Sequence, residues 1–377
     1  MRGARAIGSG LGRLLASYGL ACVLLLLLFV LTLLGTLEQT QIGLYAAKQR
    51  YFQSWWLLAR LPGGGALPMP GALTVMGLLA VNLVAGVVWH GRWHWRNLGL
   101  LMAHTGVLMV LAGGFLTYRV AREGMMTLCP GESSQVVRNP RQWELVVTDP
   151  SDPERHVEYR VPEVVLAGAT TGRPVVAEHP ALPFDLRILK YAAHADVGPG
   201  REGSKRAIRP KPPRPQPEAN RPAVRVRIGA QGFGAWILWG GEDGARRFEQ
   251  DGHHWHIELR RKTWRLPFVV RLERFEREFH PGTQIPRAFR SRVRTGGGAD
   301  AQTAVIQMNE PLRRGGYTLF QSSYRPGEDG RLCSTLAVVR NPAEPVAPVG
   351  CAIMILGLCI HYGRRLIGHL GRRGGPA

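Results

Sequence analysis

The residue with the clearest chemical potential is His104, which lies inside an apolar run at residues 97–118. That run is long enough to cross a bilayer as a helix, and His104 lies roughly 10 Å from its start. An ionisable group inside a bilayer is costly, and such groups usually face a bundle interior and mark a site. A neutral imidazole there can bind a metal, carry a proton or hydrogen-bond a neighbouring helix. The residue alone leaves these interpretations open.

The other histidines carry weaker signals. His361 lies near the end of the last apolar block and could approach His104 at a similar depth, although a histidine beside arginines at a span end is more often interfacial. His253, His254 and His256 form a cluster in which the last two share a strand face at i, i+2, a spacing that can bind a metal. Because no cysteine or carboxylate follows at a matching distance, an exposed polar strand face is the favoured interpretation.

Five cysteines are present. Three of them lie in apolar blocks and are most simply small packing residues. The other two, Cys129 and Cys333, lie outside those blocks, where an oxidising compartment would permit a disulfide. The sequence leaves their pairing open. There is no CxxCH motif, so we expect no covalently attached c-type haem on the chain itself.

Four apolar blocks define the elements that must position these side chains. Each is long enough for a transmembrane helix, and the region between the third and fourth instead shows short alternating segments separated by Gly, Pro and Asp. We therefore predict an integral membrane protein with four transmembrane α-helices and a large all-β extracytoplasmic domain inserted between the third and fourth. The predicted spans are residues 14–34, 72–89, 97–117 and 347–362, and the predicted regions are 1–118, 119–346 and 347–377.

The formal net charge of +21 would suggest nucleic acid in a soluble protein. Here the arginines cluster beside the spans, in the N-terminal tail, in the turn between spans two and three, and after span four. The positive-inside rule then places both termini in the cytoplasm and residues 119–346 outside. The topology explains much of the charge, and we expect no nucleic-acid partner.

Two further segments have a distinctive composition. Aromatic residues recur at helical spacing after span one, and they predict an interfacial amphipathic helix at residues 43–58. The tract at 200–222 is rich in Pro and Arg and predicts a polar loop with little capacity to pack.

A C-terminal block has two open interpretations. Its residues are hairpin core and turn residues, or they form a docking face in which the arginines meet acidic groups. The residues concerned are Tyr317, Gln321, Tyr324, Arg313 and Arg314.

Motifs at both ends of the chain resemble the ResB family of cytochrome c biogenesis proteins. GTLEQ follows span one, AHTGVLMVLAGG fills span three, and NEPLRRGGYTLFQSSY precedes an NP step and the final span. The overall plan of three spans, a large outer domain and a fourth span is also similar.

The resemblance implies a subunit of a System II complex in a bacterial cytoplasmic membrane, working with a CcsA (ResC)-type partner. Such a complex moves haem b across the membrane and presents it to apocytochrome c, with a thiol-disulfide reductant as a further partner. In the family a span-three histidine contributes to the haem site, and here that residue is His104, which would be a haem axial ligand to the iron. His361 does not follow from the family. The chain would be the accessory half of a haem lyase, without catalytic activity alone.

Two alternatives remain. In one, the chain is a scaffold that docks apocytochrome and reductant while the partner supplies every haem ligand. In the other, it is an electron-transfer subunit that retains a b-type haem. The second is disfavoured because such subunits carry paired deep histidines, whereas His104 is the only deep one here.

Overall fold

The structure is a computed structural model that describes residues 12–60, 65–90, 97–150, 158–177, 182–200, 206–229, 234–242, 244–250, 252–327 and 329–373. The chain divides into two compact units. The helical unit comprises Met1–Arg122 and Arg340–Ala377, and the β domain comprises Glu123–Val339.

The helical unit contains four long helices. They are α1 at Tyr18–Ile42, α2 at Ala72–His90, α3 at Leu98–Val120 and α4 at Val346–Arg373. All four are long and apolar enough to cross a membrane, in agreement with the number predicted. The first begins later than predicted because the Ser17 side chain caps it, accepting a hydrogen bond from the Leu20 N–H at 3.1 Å. The last extends well beyond the predicted block.

The segment after α1 differs from its prediction. A short helix at Leu44–Ala47 continues as a π-helix at Lys48–Phe52, and an antiparallel hairpin of β1 (Trp56–Arg60) and β2 (Ala66–Pro70) follows. The prediction of one interfacial helix over residues 43–58 is therefore wrong beyond Phe52. Strand pairing satisfies the backbone there instead, and the Gly71 N–H closes the hairpin base on the Trp55 carbonyl at 2.7 Å.

Glu38, near the end of α1, holds the π-helix against that helix. Arg50 Nη1 lies 2.5 Å from one carboxylate oxygen, and the Tyr51 hydroxyl donates to the other. Tyr51 is buried, and both its burial and its hydrogen bond to Glu38 raise its pKa to about 12. The phenol thus remains a donor at neutral pH, and both carboxylate oxygens are engaged.

We expect Glu38→Gln to lower the thermal midpoint of the purified protein by several degrees. The glutamine amide lacks the two charged oxygens that accept from Arg50 and Tyr51. A buried donor left without an acceptor lowers the free energy of unfolding by about 1–3 kcal/mol. Differential scanning fluorimetry of detergent-solubilised protein measures the shift. Thr40→Val is the matched control, since that hydroxyl bonds only the Leu37 carbonyl of its own helix. Equal midpoints for the two variants would contradict the role given to Glu38.

The β domain is built from strands, as predicted, with one short helix at Glu163–Ala167. Its strands are β3 Arg122–Leu128, β4 Ser133–Thr148, β5 Glu158–Pro162, β6 Val175–Ala177, β7 Leu186–Ala192, β8 Ala195–Gly198, β9 Ala207–Pro210, β10 Ala223–Ile228, β11 Trp236–Trp239, β12 Arg246–Gln250, β13 His253–Phe279, β14 Pro286–Thr295, β15 Gln302–Gln307, β16 Leu312–Arg314, β17 Tyr317–Pro326 and β18 Leu332–Arg340. In the described part of the Pro/Arg tract, residues 211–216 are exposed and irregular, as in a loop, and the short strand β9 and a 3₁₀ turn at Pro217–Ala219 lie on either side; residues 201–205 lie outside the described part.

Two hydrophobic cores divide this domain into lobes. In the first lobe, the sheet β11-β10-β7-β6 packs against β12, β5 and the adjoining halves of β4 and β13 around one core, as two sheets do in a β-sandwich. In the second lobe, β3, β14, β15, β17, β18 and the remaining half of β13 surround another.

The two long strands β4 and β13 pair with each other through both lobes. Their register shifts between Arg261 and Thr263 and again between Arg265 and Val270, around Pro267. Such bulges bend a strand and increase its twist, and a proline cannot donate to the ladder. One pair of strands can therefore contribute to two cores.

Candidate functional site

The histidine predicted to do chemistry lies on a helix that packs very closely on its neighbour. Gly99, Gly106 and Gly113 recur every seven residues on α3 and face α4. A Cβ atom added at Gly106 would lie 2.5 Å from the Gly350 carbonyl oxygen, and one at Gly357 would lie 2.5 Å from the Gly99 carbonyl oxygen. The helices thus touch backbone to backbone, which is the small-residue packing typical of helices in membranes.

His104 points away from this glycine stripe. At about 100° per residue, its side chain leaves α3 roughly 140° from the stripe that contacts α4. Leu111, two turns further along, lies on the same side of α3 as His104, and it packs against the core formed by α1, α2 and the β1–β2 hairpin. The helix pair therefore fixes the depth and direction of His104 without covering its ring.

The hydrogen bond of His104 determines which ring nitrogen is available. Nδ1 lies 2.8 Å from the Leu100 carbonyl oxygen, one turn earlier in α3. A carbonyl can only accept, so Nδ1 carries the proton and, in the neutral ring, Nε2 carries the lone pair. A carbonyl partner of this kind orients an imidazole that binds metal through its other nitrogen. Nε2 is therefore the ring nitrogen that this hydrogen bond leaves for another contact.

His361 is not brought onto the same face. Its backbone lies in the α3-facing stripe of α4, where its nitrogen would be 2.7 Å from a Cβ at Gly99. Its ring packs edge to face on Tyr362, with centroids 5.2 Å apart. Because His104 leaves the far side of α3, that helix lies between the two residues. The arrangement does not support one iron held by both.

The five residues considered as a docking face fall into two groups in the structure. Tyr317 is only 8% exposed and packs on Phe268, and the Gln321 amide bonds the buried hydroxyls of Ser291 and Ser334. These two side chains belong to the interior of the second lobe, so the core interpretation holds for them.

The other three side chains also make hydrogen bonds within the β domain. The Tyr324 hydroxyl accepts from Arg277 at 3.0 Å, and its ring packs on Phe289 with centroids 5.2 Å apart. Arg314 donates to the Thr295 hydroxyl at 2.9 Å, and Arg313 to the Thr318 hydroxyl at 3.4 Å. These side chains fix turns and strand ends, and the five do not share one outer surface.

No metal centre is formed by the strand histidines in the described part of the chain. His253 Nδ1 lies 3.0 Å from an Asp149 oxygen, while His254 and His256 stand opposite Glu249 and Arg247 across the β12–β13 pairing. Among the described residues, no group of three His, Cys, Asp or Glu side chains could hold a metal ion. The polar-strand interpretation accounts for them.

Cys129 and Cys333, whose pairing the sequence left open, are joined by a disulfide. It connects the end of β3 to the start of β18, which are neighbouring strands of one sheet, and Cys333 is fully buried. Cys22, Cys351 and Cys359 are free.

Two features of the helical unit were not predicted from the sequence, the glycine stripe and the Glu38 contact. The glycines of the stripe lie seven residues apart in α3 and again in α4, at Gly350 and Gly357. Their role becomes evident only when the two helices are known to pack. Glu38 is the single acidic residue in the sequence outside the region 119–346, a position that by itself indicates no partner.

Comparisons with known proteins show similarity to one family and to one curated protein. Residues 248–332 match the ResB-like family, a range that covers β13 to β17 and the hydrogen-bonded Gln321. The chain is also 24% identical to Protein NrfI of Wolinella succinogenes over 366 residues, which cover 92% of this chain and 34% of that protein. The chain thus spans about a third of the length of this relative.

The four apolar helices and these matches define a membrane protein with a large β domain. Within that β domain, residues 248–332 are similar to the ResB-like family.

Proposed function

We propose that this chain is a haem-handling subunit in cytochrome c biogenesis, acting in a System II complex. The observation that carries the proposal is the orientation of His104, whose Nδ1–H is held by the Leu100 carbonyl so that Nε2 can bind iron. Haem is the cargo here, and its iron accepts one or two imidazole nitrogens. The close contact of α3 with α4 would keep this ligand at a constant depth while haem is loaded and released.

A partner protein is part of the proposal. The helix α3 lies between His104 and His361, so a second axial ligand on the His104 side would come from another chain. Protein NrfI is about three times as long as the segment matched here, which fits a system in which one longer polypeptide combines parts that elsewhere are separate. We propose a CcsA-type membrane partner that performs the attachment to apocytochrome c, while this chain has no catalytic activity alone.

The proposed orientation follows from charge. Both termini lie in the cytoplasm, and residues 119–346 face the outer side of a bacterial cytoplasmic membrane. The disulfide suits that compartment, since such bonds persist in oxidising surroundings.

We expect a low-spin haem spectrum in detergent-purified complex of this chain with its partner, and its loss in His104→Ala. Losing an iron ligand should lower bound haem at least about tenfold and abolish cytochrome c maturation. Imidazole added to the medium should restore haem, because it replaces the missing nitrogen.

His361→Ala is the matched control, because it removes the other span histidine without touching the proposed ligand. It should retain haem. Haem content that is unchanged in His104→Ala would reject the ligand role and favour the scaffold alternative, with all iron ligands in the partner.

A further inference from the structure

The hairpin β1–β2 has one buried face and one exposed face, and both are apolar. Leu57 is buried in the core that the hairpin forms with α1 and α2. Trp56 and Leu58 point to the other side of β1 and are 71% and 59% exposed. Pro70 and Pro68 stand opposite them on β2. These four residues, the exposed face of the hairpin, carry no polar side-chain atom except the indole nitrogen.

The length of α2 fixes the depth at which the hairpin lies. The helix Ala72–His90 has 19 residues, which is roughly 28 Å at 1.5 Å per residue and close to the thickness of the hydrocarbon layer of a bilayer. A helix with so little spare length must begin near one boundary of that layer. Pro70 is two residues before the helix and pairs with Trp56, so the base of the hairpin lies at the same boundary.

The backbone at the edges of the hairpin is suited to apolar surroundings. A two-stranded hairpin has two free edges, whose unpaired N–H and C=O groups are costly away from water. Pro68 and Pro70 have no N–H group to leave unpaired. Just before β1, the Trp55 carbonyl accepts from the Thr74 hydroxyl at 2.6 Å.

A side chain from the π-helix satisfies a further group on the edge of β1. The Leu58 carbonyl accepts a hydrogen bond from Arg50 Nη2. Because Arg50 is paired with Glu38, the guanidinium brings no uncompensated charge to this edge. Carbonyls of a strand edge in water would need no such partners, since water itself would donate to them.

We propose that the exposed face of the hairpin is a membrane anchor, inserted at the boundary between the lipid head groups and the acyl chains. Tryptophan favours this boundary because its ring is apolar and its N–H can reach the head groups. A protein partner fits the face less well, because the face offers it no charge and a single hydrogen-bond donor. The inference rests on the membrane orientation proposed above, and it adds a contact with lipid outside the four spans.

The test is the accessibility of a nitroxide label in the full-length chain, reconstituted into phosphatidylcholine–phosphatidylglycerol vesicles. Cys22, Cys351 and Cys359 are replaced by alanine, so that Leu58→Cys supplies the single free thiol. The label collides with oxygen, which concentrates in lipid, or with a nickel chelate, which stays in water. Relative to the exposed control Ser322→Cys, we expect nickel collisions at position 58 to be at least about fivefold rarer and oxygen collisions to be more frequent.

Leu26→Cys provides the reference for a span, because Leu26 is 62% exposed on α1. If position 26 is protected from nickel while position 58 collides with it as often as position 322, the anchor is overturned and the spans are not. Protection of position 58 from both nickel and oxygen also overturns the anchor, since protein would then cover the face. Nickel access at position 26 would reject the membrane span and the anchor together. If Leu58→Cys does not fold, Trp56→Cys gives the same comparison on the same face.

Discussion

Gly106→Ala is expected to destabilise the helical unit, although alanine is the better helix former. The added methyl group would lie 2.5 Å from the Gly350 carbonyl oxygen and 2.6 Å from the Met354 nitrogen. Backbone atoms cannot turn aside as a flexible side chain does, so α3 and α4 must separate. Overpacking of this kind costs about 1–3 kcal/mol or more. The measurement is the yield and thermal midpoint of monodisperse protein after detergent extraction.

Gly114→Ala provides the control on the same helix. No atom lies within 4 Å of a Cβ at that position, so the substitution adds helix propensity without a clash. Its midpoint should equal or exceed that of the native chain. The predicted effects thus have opposite signs, and a similar loss in both variants would show that α3 does not pack on α4 through this stripe.

Removal of the Cys129–Cys333 disulfide should also lower the stability of the protein by a large amount. Cys129 and Cys333 are 204 residues apart, and closing a loop of that length stabilises the folded state by roughly 5 kcal/mol. For a domain of this size the double variant Cys129→Ser/Cys333→Ser should therefore melt about 10–20 °C lower. Reduction of the native protein should give the same midpoint as the double variant.

Thiol counting in denaturant makes this prediction specific. The native chain should show three free thiols before reduction and five after it. Cys22→Ser removes a free cysteine and should leave the midpoint and its response to reductant unchanged. A native protein that gains two thiols on reduction without losing stability would contradict the expected stabilisation.

Hydropathy and alternation were sufficient to predict the four helices and the β-rich domain, because both depend on periodicities within single elements. The hairpin after α1 was missed because the aromatics that lead into it, such as Tyr51, Trp55 and Trp56, also fit a helical repeat. Contacts with residues further along the chain favour the hairpin over a helix. Gly71 and the strand Ala66–Pro70 supply the hydrogen bonds of the backbone at residues 55–60.

Only part of the candidate site could be predicted, because the rest also depends on contacts between elements that are distant in sequence. His104 was recognisable as an ionisable residue in an apolar run. The direction of its side chain, however, depends on which face of α3 contacts α4. For Tyr317 and Gln321 the sequence left hairpin core and docking face open. Tyr317 is buried and the Gln321 amide is hydrogen-bonded inside the second lobe, because β17 approaches β14 and β15, a relation that strand patterns do not encode.

The sharing of β4 and β13 by both lobes has a consequence for how the β domain acquires its structure. The partners of β4 lie mostly more than a hundred positions later in the chain, so neither core can close while only the first half has been synthesised. Pairing over such distances in sequence is slow, and unpaired strand edges aggregate in the meantime. We therefore expect the newly synthesised domain to depend on a holding chaperone until its last strands arrive.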